Sequence, residues 1–235
     1  MIKKFLFTIA FILTSTSLLA QFSVLELADD FINSGGDTRW DGYSLGGTSI
    51  SAPSDPNHPG ILRLSTGRQA TGQVIMMKEL QGKSLLLGGG QITLDYVIRI
   101  PILSTTDQPF IVRIGLGDTH KAFADQENGV YFEYNSFIDS NWRIITTNNG
   151  SRTSETTFNP VNNDWFRLTI VIDATASTAS FIIDGAEVAP SPLITNIPAE
   201  PVSPFFQIIK NANGTDARFL DVDLFNITQD LGVPR

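Results

Sequence analysis

The chain has 235 residues, no cysteine, and 16 basic against 24 acidic side chains, for a formal charge of −8. Without thiols it has no cysteine chemistry, no cysteine-held metal and no disulfide staple, so its stability rests on a packed core, which a chain of this length can build. The acidic balance argues against partners held by charge to phosphate, so neither nucleic acid nor an anionic membrane surface is expected.

The chain opens with "MIKKFLFTIAFILTSTSLLAQ": Lys3 and Lys4, an apolar stretch from Phe5 to Leu13, then small residues before Gln21. These are the three parts of a secretory signal peptide, and the apolar part is too short for a membrane span. Residues 1–20 therefore read as an export signal cleaved after Ala20, with a secreted, extracellular or periplasmic product. Gln21, where a lipid-anchored product would carry Cys, argues against such an anchor. Removing residues 1–20 takes two lysines and no acid, moving the charge from −8 to −10. No later apolar run is long enough to span a bilayer.

Residues 21–235 read as a single domain. "SVLELADDFI", residues 23–32, has the best helical spacing, a turn or two before a strand. "GGDTRWDGYSLGG" follows as a glycine-rich loop, in which Trp40 is either an aromatic platform at a rim or a plug in one end of the fold. Beyond it, alternation with period two dominates. It predicts strands over Gly60–Thr66, Gly72–Met77, Ile92–Ile100, Phe110–Leu116, Val130–Tyr134, Trp142–Thr147, Phe166–Asp173, Ala179–Asp184, Phe205–Ile209 and Phe219–Ile227. Turn-forming stretches such as "SAPSDPNHPG", "LGGG" and "TTNNGSR" separate them. Pro190 to Pro204 reads as a long crossing loop, because the ~30 residues after it are too few for another domain. Ten strands with almost no helix predict an all-β, two-sheet antiparallel jelly-roll sandwich. An up-and-down barrel is the rival, disfavoured by the long crossing loop.

The order "HPGILRLSTG", "GVYFEYN", "NWRIITTNNGSRT", "DWFRLTIVID…FIIDG" and "DARFLDVDLFNI" resembles the concanavalin A-like jelly rolls. Within them it resembles laminin-G-like modules of secreted bacterial proteins and phage tail or fibre proteins. Trp165, Leu168, Ile170, Asp173, Phe181, Ile183, Asp184 and Gly185 carry the most recognisable part. The resemblance implies the fold and a range of functions, from sugar binding and adhesion to glucanase and lyase activity, and fold alone selects none of them.

A glucanase of that group would be expected to carry acids in a pattern like E-x-D-x-x-E, because alternate strand residues share a face and converge on a glycosidic bond. The sequence contains no such run. Asp221 and Asp223 in "RFLDVDLF" are the nearest approach and read as a solvated strand face, with Leu220, Val222 and Leu224 inward. The alternative makes them ligands of a structural calcium together with Asp29 or Asp30, the one cofactor the sequence leaves open. His58 and His120 lie in turn-like surroundings and read as surface residues. Trp142 and Trp165 read as core or core-edge residues.

A polar sheet face remains. If the strands starting at Ile92, Phe110, Val130 and Trp142 are neighbours, their inward apolar residues leave Asp95, Arg99, Arg113, Tyr131, Glu133 and Arg143 on one surface. The plain reading is a cross-strand ladder of opposite charges. The functional reading is a groove that hydrogen-bonds a glycan or surface polysaccharide, with Trp40 as a further contact. The expected function is a secreted, non-catalytic carbohydrate-binding or adhesion module. The alternatives are a polysaccharide hydrolase or lyase using Glu133, Tyr131 and the nearby arginines, or a structural component of a phage particle or cell-surface assembly.

Overall fold

A computed structural model describes residues 24–32, 40–78, 84–120, 123–211 and 214–231. The expected export signal, residues 1–20, lies outside them. The described residues contain strands and no helix: β1 (Val24–Asp29), β2 (Asp41–Leu45), β3 (Ser49–Ser51), β4 (Leu62–Ser65), β5 (Thr71–Met77), β6 (Ile92–Arg99), β7 (Ile111–Gly117), β8 (Gly129–Asn135), β9 (Asn141–Asn148), β10 (Ser151–Pro160), β11 (Trp165–Ile172), β12 (Ala179–Ile183), β13 (Ala186–Glu187), β14 (Ser203–Asn211) and β15 (Phe219–Asp230). All ten predicted strands are present. The stretch read as a helical turn is β1, paired along its whole length with β15. Part of the presumed Trp40 loop is β2, paired with β5.

The strands form two antiparallel sheets packed as a jelly-roll sandwich. The first runs β13-β12-β11-β6-β15-β4-β3, with β1 also on β15, and the second runs β10-β9-β8-β7-β14-β5-β2. The period-two apolar residues meet between them: Leu94, Tyr96, Ile98, Val222 and Phe225 from the first sheet, Ile114, Phe132, Trp142 and Phe206 from the second, all in one buried cluster. Tyr96 crosses the gap and donates its hydroxyl to the Gly115 and Phe205 carbonyls at 3.3 and 3.2 Å. Burial raises its pKa well above the usual tyrosine range, so it stays a neutral donor.

Turn chemistry places the hairpins. Asn149 and Gly150 both have positive φ, 48° and 77°, as a two-residue turn matched to strand twist requires. They join β9 to β10, an edge strand whose polar sequence "SRTSETTFNP" gives no alternation to read. Asp184 and Gly185, φ 50° and 82°, make the equivalent turn from β12 to β13.

Strand β15 serves two partners along one edge. Residues 219–222 pair with β4 and residues 225–230 with β1, while its other edge runs along β6 with a bulge between Val222 and Leu224. The bulge shifts the phase by one residue. The inward series is therefore Leu220, Val222, Phe225 and Ile227, and Leu224 is not among the buried core residues.

Candidate functional site

The six residues expected on one surface are divided between the two sheets. The chain changes sheet between β6 and β7, so Asp95 and Arg99 lie on the outside of the first sheet. Arg113, Tyr131, Glu133 and Arg143 lie on the outer side of the second. Alternation separated these side chains from the inter-sheet core, but it says neither which strands pair nor that the outer face of the second sheet is itself covered. Asp95 accepts hydrogen bonds from Thr169 Oγ1 and, at 3.1 Å, Arg167 Nε. Arg99 joins a different cluster, described below.

On the second sheet the expected neighbours do meet: Arg113 lies opposite Glu133, and Glu133 opposite Arg143. The charged pattern is a closed ring. Arg113 Nε donates to Glu133 Oε2 at 2.8 Å, and Arg152 donates to Glu133 Oε1 at 2.8 Å and Asp125 Oδ2 at 2.7 Å. A contact from Arg113 to Asp125 closes it. Arg152, on β10, was not foreseen because that strand was not read. Arg143 turns away from the ring to Thr156, Ser154 and Asp139.

This face is covered. Arg113 is 2% exposed and Glu133 0%. Residues from the β7–β8 connection lie on it: Ala124 O accepts from Arg113, and Phe123 N donates to Gln73 Oε1 at 2.7 Å. Beside the ring Ile75, Met77, Tyr131, Ile145 and Phe205 make a second apolar cluster, so Tyr131 is a core residue of that layer. Burial pushes its hydroxyl above the usual tyrosine range, outweighing the opposing pull of Arg113 and Arg152. Glu133, enclosed by two guanidinium groups, is poorly placed to exchange protons with a substrate.

Trp40 is a plug, not a platform. It packs against Phe31, Phe206 and Phe225, donates Nε1 to Asp29 Oδ2 at 2.9 Å, and lies 4.3 Å under the Lys78 ammonium.

The outside of the first sheet carries a cluster that was read differently from sequence. Asp221 is fully buried, held by Arg63 at 2.5 and 2.8 Å and by Arg99 at 2.9 and 3.3 Å, rather than solvated. Asp223, at the bulge, pairs with His58 at 2.8 Å. His58 stacks on Trp165 at 4.0 Å, and Arg99 lies 4.6 Å from the same ring. The 52–60 loop is thereby fastened to the sheet, and His58 is tied in. Trp165 alternates in phase with Arg167 and Thr169, hence outward, while Trp142 is fully buried. Of the acids considered for calcium, Asp29 is held by Trp40, Asp221 by two arginines and Asp223 by His58, while the exposed Asp30 accepts from Ile32 N at 3.3 Å. Among the described residues no group of three or more His, Asp or Glu is placed to hold a metal ion.

Open space lies at the end of the sandwich where β8 finishes and β9 begins. A cleft of about 670 Å³ is lined by Thr106, Asp107, Gln108, Phe137, Asn211 and Thr215, among others. Phe137 is 50% exposed, in the turn after β8. Gln108 stiffens the wall by accepting a hydrogen bond from Asp216 N at 3.3 Å. The Asp107 carboxylate has no hydrogen-bond or ion-pair partner among the described residues. Sequence reading missed this site, because its residues come from three loops. The one local signal was the apolar pair Phe137-Ile138 inside a polar turn. An aromatic ring beside unengaged polar groups can stack on an apolar ring face and bond the hydroxyls around it.

The fold is shared with solved proteins of very different sequence. The protein of unknown function SO2946 from Shewanella oneidensis MR-1 superposes with TM-score 0.63 at 11% identity, over 91% of this chain and 89% of that one. The Emp47p carbohydrate recognition domain superposes with TM-score 0.56 at 10% identity, over 88% and 95%. The carbohydrate esterase vb_24B_21 of the Shiga toxin-encoding bacteriophage phi24B gives 0.54 at 12% identity, over 87% and 97%. No curated protein sequence matches the chain. The family model of the SO2946-like C-terminal domain matches residues 57–223, from His58 and its loop to Asp223 at the bulge, and the chain belongs to that family.

Proposed function

We propose that this chain is an exported, non-catalytic carbohydrate-binding or adhesion module of the laminin-G-like kind, and that it holds a glycan in the end cleft beside Phe137. The observation that carries the reading is the half-exposed Phe137 ring in an open cleft with the Asp107 carboxylate, which has no partner among the described residues. Likeness in fold to a carbohydrate recognition domain and a carbohydrate esterase supports carbohydrate as the ligand class. The burial of Glu133 within its ion-pair ring supports binding over hydrolysis or elimination there, since a general acid or base must reach the proton it moves. Affinity electrophoresis of the purified chain through gels containing a panel of neutral and acidic polysaccharides tests the reading. At least one polymer should retard the protein, and Phe137→Ala should weaken that retardation roughly 5- to 10-fold, as expected for loss of one ring stack. Free migration through every gel would sink the proposal, and steady release of reducing or unsaturated ends would replace it with catalysis.

A further inference from the structure

Ten lysines and arginines lie among the described residues, and seven of them are ion-paired: Lys78, Arg63, Arg99, Arg113, Arg143, Arg152 and Arg167. The other three, Arg68, Lys210 and Arg218, form no direct ion pair among the described residues. All three belong to one corner of the fold.

Contacts fix that corner. Lys210 Nζ donates to the carbonyls of Gly67 and Asp216 at 2.9 and 2.8 Å, which ties the residue before Arg68 to the loop before Arg218. Thr66 and Arg218 exchange further bonds, Thr66 N to Arg218 O and Arg218 N to Thr66 Oγ1, each at 3.0 Å. Lys210 is fully buried, and Arg218 is 4% exposed. Arg218 donates one terminal nitrogen to Ala217 O, and its Nε is buried without a hydrogen-bond partner. Burial, then the neighbouring Arg218, hold the Lys210 ammonium below the usual lysine range, against a smaller opposing pull from Asp216. Two desolvated cations beneath one loop leave a positive field that the carbonyl dipoles and the Asp216 carboxylate offset only in part.

The field opens on a second cleft, of about 460 Å³, lined by Arg68, Ile102, Thr215, Asp216, Ala217 and Phe219. Thr215 also lines the Phe137 cleft, so the two adjoin. We infer that the paired clefts take an acidic glycan, with a sugar ring on Phe137 and a carboxylate or sulfate of the same polymer at Arg68. The inference rests on the glycan-binding reading and names its substrate class. A chain with net charge −8 repels polyanions at long range. Arg68, which lines the cleft beside the Asp216 carboxylate with Lys210 and Arg218 buried in the same corner, would therefore act locally, on an anion already placed by the neighbouring ring.

Arg68 is exposed, which makes it the test position. The purified chain, Arg68→Ala and Arg68→Lys are run through gels containing polygalacturonate and alginate (carboxylate), chondroitin sulfate (carboxylate and sulfate), or dextran and galactomannan (neutral). Single-stranded DNA and phosphatidylglycerol vesicles serve as other polyanions. The expected result is at least tenfold tighter binding to one acidic polysaccharide than to either neutral one. Arg68→Ala should lose that margin at unchanged melting temperature, and Arg68→Lys should restore part of it. Carboxylate and sulfate polymers separate the two sources of the anion. Binding to neutral polymers as tight as to acidic ones, untouched by Arg68→Ala, overturns the acidic-glycan inference and leaves the glycan reading standing. Equal binding of DNA or vesicles overturns it in favour of a general anion site. No binding to any polysaccharide removes both.

Discussion

Glu133→Gln isolates the charge at the centre of the ion-pair ring while keeping the side chain's size. Glu133 is 0% exposed and its partner Arg113 2%. The substitution therefore leaves a buried guanidinium facing a neutral amide, whose oxygen still accepts, with Asp125 as its remaining carboxylate and the Ala124 carbonyl beside it. Breaking a buried pair by removing one partner costs roughly 3–5 kcal/mol, and the remaining acceptors put the expectation near the low end, about 3 kcal/mol. In a domain of this size that lowers Tm by roughly 6–12 °C. Asp125→Asn touches the same two arginines, but Asp125 has a 52% exposed side chain, so water screens the pair and about 1 kcal/mol or less is expected. Urea unfolding followed by tryptophan fluorescence measures both, and the contrast between them is the test. A Glu133→Gln loss below about 1 kcal/mol, or one equal to that of Asp125→Asn, would refute the claim that solvent access sets the worth of each member of the ring. If Glu133→Gln instead abolished turnover of a polysaccharide at unchanged stability, the carboxylate would be catalytic and its burial misjudged.

Trp40→Ala should cost about 3–5 kcal/mol in the same unfolding assay, because it empties a site ringed by Phe31, Phe206 and Phe225 and removes one donor from the Asp29 carboxylate. Glycan retardation by the folded fraction should be unchanged, since the plug lies away from the Phe137 cleft. Asp173 organises the β11–β12 turn by accepting from Thr175, Ser177 and Thr178, with the Thr175 hydroxyl bond the main cause of a pKa held below the usual carboxylate range. A depressed folded-state pKa contributes stability above the unfolded value and loses it as pH falls through the folded one. Asp173→Ala should therefore cost less than about 1 kcal/mol at pH 7, given its exposure, and the gap to the unsubstituted chain should begin to close below about pH 4. Thermal unfolding across pH 2–7 checks both the sign and the window.

Sequence alone determined what depends on near neighbours along the chain. Alternate residues of a strand face opposite sides, so "FRLTIVID" put Phe166, Leu168 and Ile170 in the core, and "TLDYVIR" put Asp95 and Arg99 outside. Asn149-Gly150, within the turn-forming "TTNNGSR", and Asp184-Gly185 mark chain reversals, whose positive φ at both positions suits Asn, Asp and Gly, but the strands β10 and β13 that follow them were not legible. Tertiary structure decided what depends on which strands pair. It sent β6 to one sheet and β7 to β9 to the other, separating Asp95 and Arg99 from Arg113 and Glu133. It brought Arg152 from a polar edge strand to Glu133, and Arg63 and Arg99 to Asp221, which no local pattern foretold. The end cleft is of the same kind: Asp107, Phe137 and the segment holding Asn211 and Thr215 are separated by tens of residues and become neighbours through sheet topology. The pleat is a property of a few consecutive peptides. Adjacency across a sheet is settled by the burial of every strand at once.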